Sequence, residues 1–410
     1  MTPGHSAVEL SAAELSAAGL LTAGVGFGRG PRTLQLGMSW FPEQAGNGLD
    51  RVYFSLVHHL PAAGVEVCGL VAGSPDVART SGRLVRAFSR DDAPLLERLR
   101  ASRRAVREAL AACRPDLVAT HFALYTFPAL DLLRGRPLVT HFHGPWADES
   151  RVEGSRSLVV HAKAAIERAV YGRGRLFIVL SHAFAEVLRD RYGVDERRIR
   201  VVPGGVDTGR LDARVSKAQA RERLGWPADR PIVLSVRRLY RRMGLENLVD
   251  AFRTVRRTVP DALLYIAGKG AIAAALQARI EAAGLADHVR LLGFVPERDL
   301  PLAYRAADLS VVPTVALEGF GLVTVESLAA GTPVLVSPNG GLPEVVRDLA
   351  PDLILPDLEP ATIADRLGAV LRGELDVPDE EACRSYARSR FDWGVIARRT
   401  RRVYEEALLG

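Results

Sequence analysis

Short apolar segments alternate with longer segments of helical periodicity along most of the chain. From Thr33 onward the apolar segments read TLQLGM, EVCGLVA, DLVATHF, PLVTHFH, RLFIVLS and IRVVPGG. The segments between them are long enough for crossover helices, so the strands are predicted to lie parallel in a sheet covered on both faces. After Val206 the pattern restarts with IVLSV, LLYIAG, HVRLLGF, DLSVVP, TPVLVS and DLIL. The chain is therefore predicted to be an α/β protein with two doubly wound, Rossmann-like domains facing across a cleft.

The length of 410 residues agrees with two domains, because one hydrophobic core seldom holds so many residues. A linker is predicted from Pro203 to Arg214, where glycines and aspartates interrupt the periodic pattern. We expect domains over residues 31–208 and 209–385 and a closing helical segment over residues 386–410. Residues 1–30 are rich in Ala, Ser and Gly and are predicted to be a loose extension without an assigned function.

Composition narrows the classes of function. Apolar residues make up 48% and charged residues 25%, as in ordinary soluble enzymes. The net charge of +6 favours a solvated basic face, with an anionic acceptor or peripheral contact at the inner face of a membrane as the alternative. No basic stripe is interleaved with aromatic residues, so nucleic acid is not an expected partner. Cys68, Cys113 and Cys383 are odd in number and far apart, which argues against a disulfide framework and predicts a cytoplasmic protein.

A glycine-rich loop between two strand candidates carries the strongest functional signal. Glu318 and Glu326 lie eight residues apart, with Gly319 and Gly321 between them and a helix predicted to begin there. Amides exposed at a helix N-terminus bind phosphate, and glycine lets the backbone come close to a ligand. Carboxylates accept hydrogen bonds from the hydroxyls of a sugar or ribose. The segment therefore predicts a nucleotide-sugar site, and the alternative is a surface loop with solvated glutamates.

The run EGFGLVTVE, from Glu318 to Glu326, resembles the Glu-x7-Glu signature of the retaining GT-B glycosyltransferases of family 4, also called glycosyltransferase group 1. The AAGTPV run and the glycine pair before LPEVV follow in the order of that family. The resemblance implies that the first glutamate contacts the donor sugar and the second holds the ribose hydroxyls. It also implies that the sugar and phosphate are touched by the backbone of Gly319, Phe320, Gly321 and Leu322.

Other loops of the second half match donor-binding stretches of the same family. In RRLYRRMG, Arg238 matches an arginine that clamps the diphosphate, whereas the usual lysine position is Met243. Arg241 or Arg242 is a candidate to replace that lysine, and the alternative is a solvated arginine turn. Further donor contacts are implied for Gly268 in AGKG and, near the nucleobase, for Phe294 and Val295. The glycine signal is weak by itself, and a hydrophobic strand end explains Phe294 and Val295 equally well.

The first half supplies the other side of the predicted cleft. The loop MSWFPEQAGNGLDRVYF resembles the glycine loop that lies near the diphosphate and the acceptor in the family, which implicates Gly46, Asn47 and Gly48. A tight turn is the alternative. His143 matches a histidine that approaches the donor sugar, and His121, after the preceding strand, is a candidate for the acceptor side. Both histidines also fit purely structural roles.

The resemblance as a whole implies a retaining hexosyltransferase of glycan or glycoconjugate biosynthesis, with Glu318, His143 and Arg238 as catalytic residues. The donor is a nucleoside diphosphate sugar, and the acceptor is a glycan, a lipid-linked sugar or a small molecule with a free hydroxyl. No metal and no further cofactor are expected, because Asp-x-Asp and His clusters are missing from the sequence. The FDW run resembles the segment that crosses back to the first domain in the family. A nucleotide-sugar epimerase and a non-catalytic nucleotide-sugar-binding protein are the alternatives.

Overall fold

A computed structural model describes residues 30–41, 43, 48–152, 154–316 and 318–409 of the chain. Two predictions lie outside these residues, namely the extension over residues 1–30, of which only Gly30 is described, and the loop residues Gly46 and Asn47. Both stay predictions. Gly48 is exposed at the start of the first described helix.

The strands of the described residues form two parallel sheets. Their bounds are β1 Arg32–Leu36, β2 Glu66–Ala72, β3 Val85–Ser89, β4 Leu117–Thr120, β5 Leu138–Phe142, β6 Leu176–Val179, β7 Ile199–Val201, β8 Ile232–Val236, β9 Leu263–Ala267, β10 Val289–Gly293, β11 Leu309–Val312 and β12 Val334–Val336. The first sheet has the order β3-β2-β1-β4-β5-β6-β7 and the second the order β10-β9-β8-β11-β12. This arrangement confirms the predicted α/β class and its two doubly wound sheets.

Helices connect the strands as crossovers. Their bounds are α1 Gly48–His59, α2 Val77–Thr80, α3 Leu95–Cys113, α4 Ala123–Thr126, α5 Trp146–Val152, α6 Ser157–Tyr171, α7 His182–Tyr192, α8 Thr208–Leu211, α9 Lys217–Leu224, α10 Leu245–Thr258, α11 Ala273–Ala282, α12 Leu300–Ala306, α13 Leu322–Ala329, α14 Leu342–Val346, α15 Pro360–Leu371, α16 Glu380–Phe391 and α17 Trp393–Leu409. In α10, Leu245, Leu248, Phe252 and Val255 recur at helical spacing and are all buried. This apolar stripe packs α10 into the core of the second domain.

Two strands differ from the sequence-based predictions. The edge strand β3 was not predicted, because its sequence VRAFS includes Arg86, which is exposed. The DLIL segment was predicted as a strand but makes only one bridge, between Val336 and Ile354. Pro351 opens a 3-10 turn just before that bridge. The N–H groups of Leu353 and Ile354 donate to the carbonyl oxygens of Ala350 and Pro351 in this turn, so they are not available to extend the sheet.

The C-terminal helix α17 packs on the first domain. The chain crosses back beside the linker, where the Val206 N–H donates to the Phe391 carbonyl oxygen at 2.8 Å. Trp393 and Tyr404 of α17 are buried in one core cluster with Leu56 of α1. The predicted limits between domains fall at the first residue of α8 and inside α16. The limits themselves stay predictions.

Cys68 on β2 and Cys113 at the end of α3 form a disulfide, with their Cα atoms 6.6 Å apart. The expectation that the cysteines form no disulfide is therefore wrong for this pair. The reason is that β2 and α3 pack together although 45 residues separate the two cysteines. Cys383 is free and buried, and burial raises the pKa of its thiol to about 12. The cysteines therefore no longer indicate a reducing compartment, and the cytoplasmic location stays a prediction.

Candidate active site

The acid loop, residues 318–321, connects β11 to α13. Gly321 is the N-cap of α13 with φ +80°, a backbone conformation that favours glycine. Gly321 has no side chain to cap this helix, so the first backbone amides of α13 can serve a ligand. The carbonyl oxygen of Glu318 accepts a hydrogen bond of 3.0 Å from the Gly341 N–H. The glycine pair before LPEVV therefore packs directly on the acid loop.

Gly340→Ala is expected to destabilise the protein more than Gly373→Ala. Both glycines have positive φ, +61° and +71°, so each substitution carries a similar left-handed backbone strain of about 1 kcal/mol. A Cβ at residue 340 would also lie 2.0 Å from the Glu318 carbonyl oxygen, whereas nothing lies within 4 Å of a Cβ at residue 373. Overpacking of this kind adds roughly 1–3 kcal/mol. Urea unfolding of both variants measures the difference, and equal losses would contradict the predicted contact.

The carboxylate of Glu318 is held by Arg237, a residue that the sequence analysis did not select. Arg237 is buried just after β8, and its Nη2 lies 2.5 Å from Glu318 Oε2 and 2.6 Å from Thr314 Oγ1. Burial by itself would raise the pKa of Glu318, but Arg237, helped by Arg242 and Arg238, lowers it below its usual value. The acid is therefore ionised at neutral pH.

Arg237 also occupies the space at the tip of Met243. The Met243 side chain is buried, and its Sδ lies 2.8 Å from Arg237 Nη2. A buried cation is thus present where a lysine at position 243 would place its ammonium group. Of the two candidates from the sequence analysis, Arg241 is exposed and Arg242 is partly buried.

Charged groups from both domains surround Arg242. Burial lowers the pKa of its guanidinium, Arg238 adds to that effect, and the nearby carboxylates of Glu149 and Glu318 oppose it. Glu149 belongs to α5 of the first domain, so this electrostatic contact runs between the domains. Arg238 itself is exposed, with its guanidinium 5.5 Å from the centre of the Tyr240 ring. It is therefore accessible to a diphosphate, and its role as a clamp stays a prediction.

Glu326 is buried in α13 and faces the first domain. Its Oε1 accepts from Arg51 Nη1 at 2.6 Å, and its Oε2 accepts from the Tyr304 hydroxyl at 3.1 Å. Arg51 belongs to α1 and forms a second ion pair with Glu297. A carboxylate offers about four acceptor positions, so two remain beside these donors, and the contact with ribose hydroxyls stays a prediction.

The acid loop lies directly against the first domain. The Glu344 carboxylate of α14 accepts from the backbone N–H groups of His182 and Ala183 at 2.8 Å and 2.9 Å. A Cβ at Gly319 would lie 2.4 Å from the Phe184 ring, so this contact needs glycine. The Phe320 ring is buried in the core of the second domain, which leaves only its backbone for a donor. Together these contacts place the acid loop and the open end of α13 at the interface of the two domains.

The remaining residues that are predicted to contact the donor lie on neighbouring loops of the second sheet. Gly268 has φ +143°, and a Cβ there would lie 1.9 Å from the Arg237 carbonyl oxygen. Any larger residue at this position would collide with the backbone of the loop that carries Arg237. Phe294 is 54% exposed, with Lys269 Nζ 5.8 Å from its ring centre, and Val295 packs partly on the core. Their contacts with a nucleobase stay predictions.

His121 and His143 lie together at the carboxyl ends of β4 and β5. His121 Nδ1 is 3.1 Å from His143 Nε2, and the buried His141 ring stacks on His121 with 4.0 Å between ring centres. Burial lowers the pKa of His143 to about 4 and the pKa of His121 well below its usual value. Both rings are therefore neutral at pH 7. Phe142, between His141 and His143, contacts Phe184 and so connects this strand end to the acid loop.

Both halves of the chain match known protein families. The family described as Glycosyltransferase Family 4 matches residues 46–210, and the family described as Glycosyl transferases group 1 matches residues 216–390. A phosphatidyl-myo-inositol mannosyltransferase of Mycobacterium leprae is 35% identical over 205 residues, 50% of this chain and 52% of that protein. A D-inositol 3-phosphate glycosyltransferase of Nocardia farcinica is 38% identical over 232 residues, 55% of this chain and 51% of that protein. The chain thus spans about half the length of the curated relatives it matches.

Solved structures share the fold over nearly the whole chain. A sucrose-phosphate synthase from Thermosynechococcus elongatus has a TM-score of 0.75 at 24% identity, covering 92% of this chain and 98% of its own. Anabaena HepE in complex with UDP and glucose has a TM-score of 0.72 at 20% identity, and the match covers 92% of this chain and 100% of that one. Both halves match glycosyltransferase families in the expected order, and the two sheets match these neighbours. The chain therefore belongs to the group 1 glycosyltransferases and has the two-domain GT-B fold.

Proposed function

We propose that this chain is a retaining hexosyltransferase that moves a sugar from a nucleoside diphosphate sugar to an acceptor hydroxyl. The observation that carries the proposal is the ionised, largely buried Glu318 at the domain interface, next to the uncapped N-terminus of α13. A negative charge and open amides side by side suit a sugar that becomes cationic while its phosphate departs. The names of the curated relatives support transfer, and the neighbour holding UDP and glucose supports a nucleotide donor.

In the proposed reaction, the bond between the anomeric carbon and the phosphate oxygen breaks as the acceptor oxygen bonds to the same carbon from the same face. The acceptor proton passes to the departing phosphate, so no separate protein base is needed. Glu318 stabilises the oxocarbenium-like sugar by its charge, and the α13 amides with Arg238 stabilise the leaving diphosphate. His143 orients the sugar. The arginines can neutralise the diphosphate, so the reaction is proposed to need no metal and no other cofactor.

Arg237 is proposed to supply the positive charge that the family usually obtains from a lysine at the position of Met243. The support is geometric, because its guanidinium contacts both Met243 and Glu318. Arg241 is exposed, so it is the weaker candidate for this buried position.

The acceptor is proposed to be a glycan, a lipid-linked sugar or a small molecule with a free hydroxyl. In the described residues, no helix combines the length and the apolar character needed to cross a bilayer. A cytoplasmic location with peripheral contact at the inner membrane face stays a prediction, as does the absence of nucleic-acid partners. The epimerase and the non-catalytic alternatives are less favoured, because the relatives named above are transferases.

A thermal-shift screen with UDP, GDP and ADP tests the donor site. A nucleotide that binds the folded chain at one hundred times its Kd is expected to add about 2.7 kcal/mol to the free energy of unfolding and raise the Tm by several degrees. Pyrophosphate, which lacks the ribose that Glu326 is proposed to hold, serves as the control and is expected to shift the Tm less. If none of the three nucleotides raised the Tm, the proposed donor site would be wrong. Product that forms only with an added acceptor then separates a transferase from an epimerase.

A further inference from the structure

A chain of polar side chains begins on β1 and ends at His143. Thr33 Oγ1 lies 3.0 Å from the Glu66 carbonyl oxygen, and Gln35 Nε2 lies 2.9 Å from Thr33 Oγ1. Gln35 Oε1 lies 3.1 Å from His121 Nε2, and His121 Nδ1 lies 3.1 Å from His143 Nε2. Thr33, Gln35 and His121 are all buried. We call these four side chains the tautomer relay.

The chemistry of each group fixes the direction of every hydrogen bond in the relay. A carbonyl only accepts, so Thr33 gives its single hydroxyl hydrogen to Glu66. The Thr33 oxygen must then accept from the amide nitrogen of Gln35, which turns the Gln35 amide oxygen toward His121. That oxygen also only accepts, so His121 carries its hydrogen on Nε2 and accepts on Nδ1. His143 therefore carries its hydrogen on Nε2, and its Nδ1 holds a lone pair.

Further contacts keep the rings in this state. Tyr404 of α17 places its hydroxyl 2.8 Å from His141 Nε2 and 3.3 Å from Gln35 Oε1. His141 stacks on His121, which fixes the plane of the ring. His143 Nδ1 is buried and has no hydrogen-bond partner among the residues that the structure describes. A buried acceptor is expected to find a donor, so this atom is a candidate for a ligand contact.

We propose that Gln35 and His121 are positioning residues that hold His143 in the Nε2–H tautomer, so that His143 Nδ1 accepts a hydrogen bond from a hydroxyl of the bound sugar. This inference rests on the proposed function and specifies the group recognised there, a hydrogen-bond donor. A sugar that carries a carbonyl, an ether or no oxygen at that position is disfavoured, because it has no hydrogen to give to Nδ1.

The first test measures the tautomer without any ligand. The full chain is labelled with 15N-histidine, and long-range proton–nitrogen spectra are recorded at pH 7, with the His143→Gln variant used for assignment. We expect a protonated Nε2 and an unprotonated Nδ1 for His143. A hydrogen on Nδ1, or an imidazolium, would overturn the proposal. Gln35→Met is expected to give averaged signals from both tautomers, whereas Gln277→Met, at an exposed position of α11, should leave the His143 signals unchanged.

The second test identifies the recognised hydroxyl by comparing kcat/KM for UDP-glucose and GDP-mannose with kcat/KM for their singly deoxygenated analogues. Loss of one hydroxyl is expected to lower kcat/KM of the unaltered protein on the order of ten-fold, and to cause no further loss in His143→Phe. If every deoxygenation affected both proteins equally, the proposed contact would be wrong. If no donor is turned over, the proposed function fails, while the spectra at pH 7 still decide whether the relay fixes the tautomer.

Discussion

Glu318→Gln is expected to lower the kcat of sugar transfer by on the order of 10²- to 10³-fold while the chain stays folded. Glutamine keeps the size of the side chain and can still accept a hydrogen bond from Arg237. It removes the negative charge, which Arg237 and its neighbours keep on the carboxylate at neutral pH. That charge is the part of the site that would favour a cationic sugar in the transition state over the neutral sugar in the ground state.

The measurement is steady-state transfer with the nucleotide donor that the thermal screen identifies. Glu374→Gln is the matched control, since Glu374 is an exposed carboxylate of the second domain that pairs with Arg372. We expect this control to keep the full kcat. Equal kcat values for Glu318→Gln and the unaltered protein would show that the acid is not part of the reaction.

Arg237→Met is expected to lower the free energy of unfolding by about 3 kcal/mol and to abolish donor binding. The substitution leaves the Glu318 carboxylate largely buried without its ion-pair partner, and it also removes the donor to Thr314. Arg238→Met is the matched control, because the Arg238 guanidinium is exposed and its removal leaves no buried charge without a partner. The control should keep the stability of the unaltered protein while it weakens donor binding.

Adding Met243→Lys to Arg237→Met tests whether one cation replaces the other. The lysine would bring its ammonium group near the space that Arg237 Nη2 occupies, 2.8 Å from the present sulfur. We expect the double variant to regain most of the lost stability and part of the donor affinity. Met243→Lys alone should destabilise the protein, because it places two cations together. If the double variant were no more stable than Arg237→Met, the proposed substitution of the lysine would be wrong.

Most of the fold follows from local sequence because the strands are buried on both faces. Segments such as LLYIA of β9 and LVAT of β4 are apolar or small throughout and fully buried, so a short uninterrupted run predicts them. The edge strand β3 has one exposed side and contains Arg86, so its pattern is weaker. The same reasoning failed at DLIL, where apolar residues are buried by a turn rather than by a ladder.

The site was predictable in its loops but not in its pairings. Glu318 and Glu326 stand out in the sequence because two glycines and a helix start lie between them. The ion-pair partner of Glu326 is Arg51, 275 residues away on another domain, and no local pattern indicates that contact. The Arg-Arg pair after β8 gave a signal for Arg237, but it did not show that Arg237 is the buried member and Arg238 the exposed one.

The sequence by itself determined the order of strands and helices, the positions of the loops at the strand ends and the two acids of the proposed donor site. Only the tertiary structure decided which cation holds Glu318, which cysteines join and which nitrogen of His143 carries its hydrogen. The physical reason is that backbone conformation and burial periodicity depend on neighbouring residues, whereas ion pairs, disulfides and hydrogen-bond directions depend on which distant elements pack together.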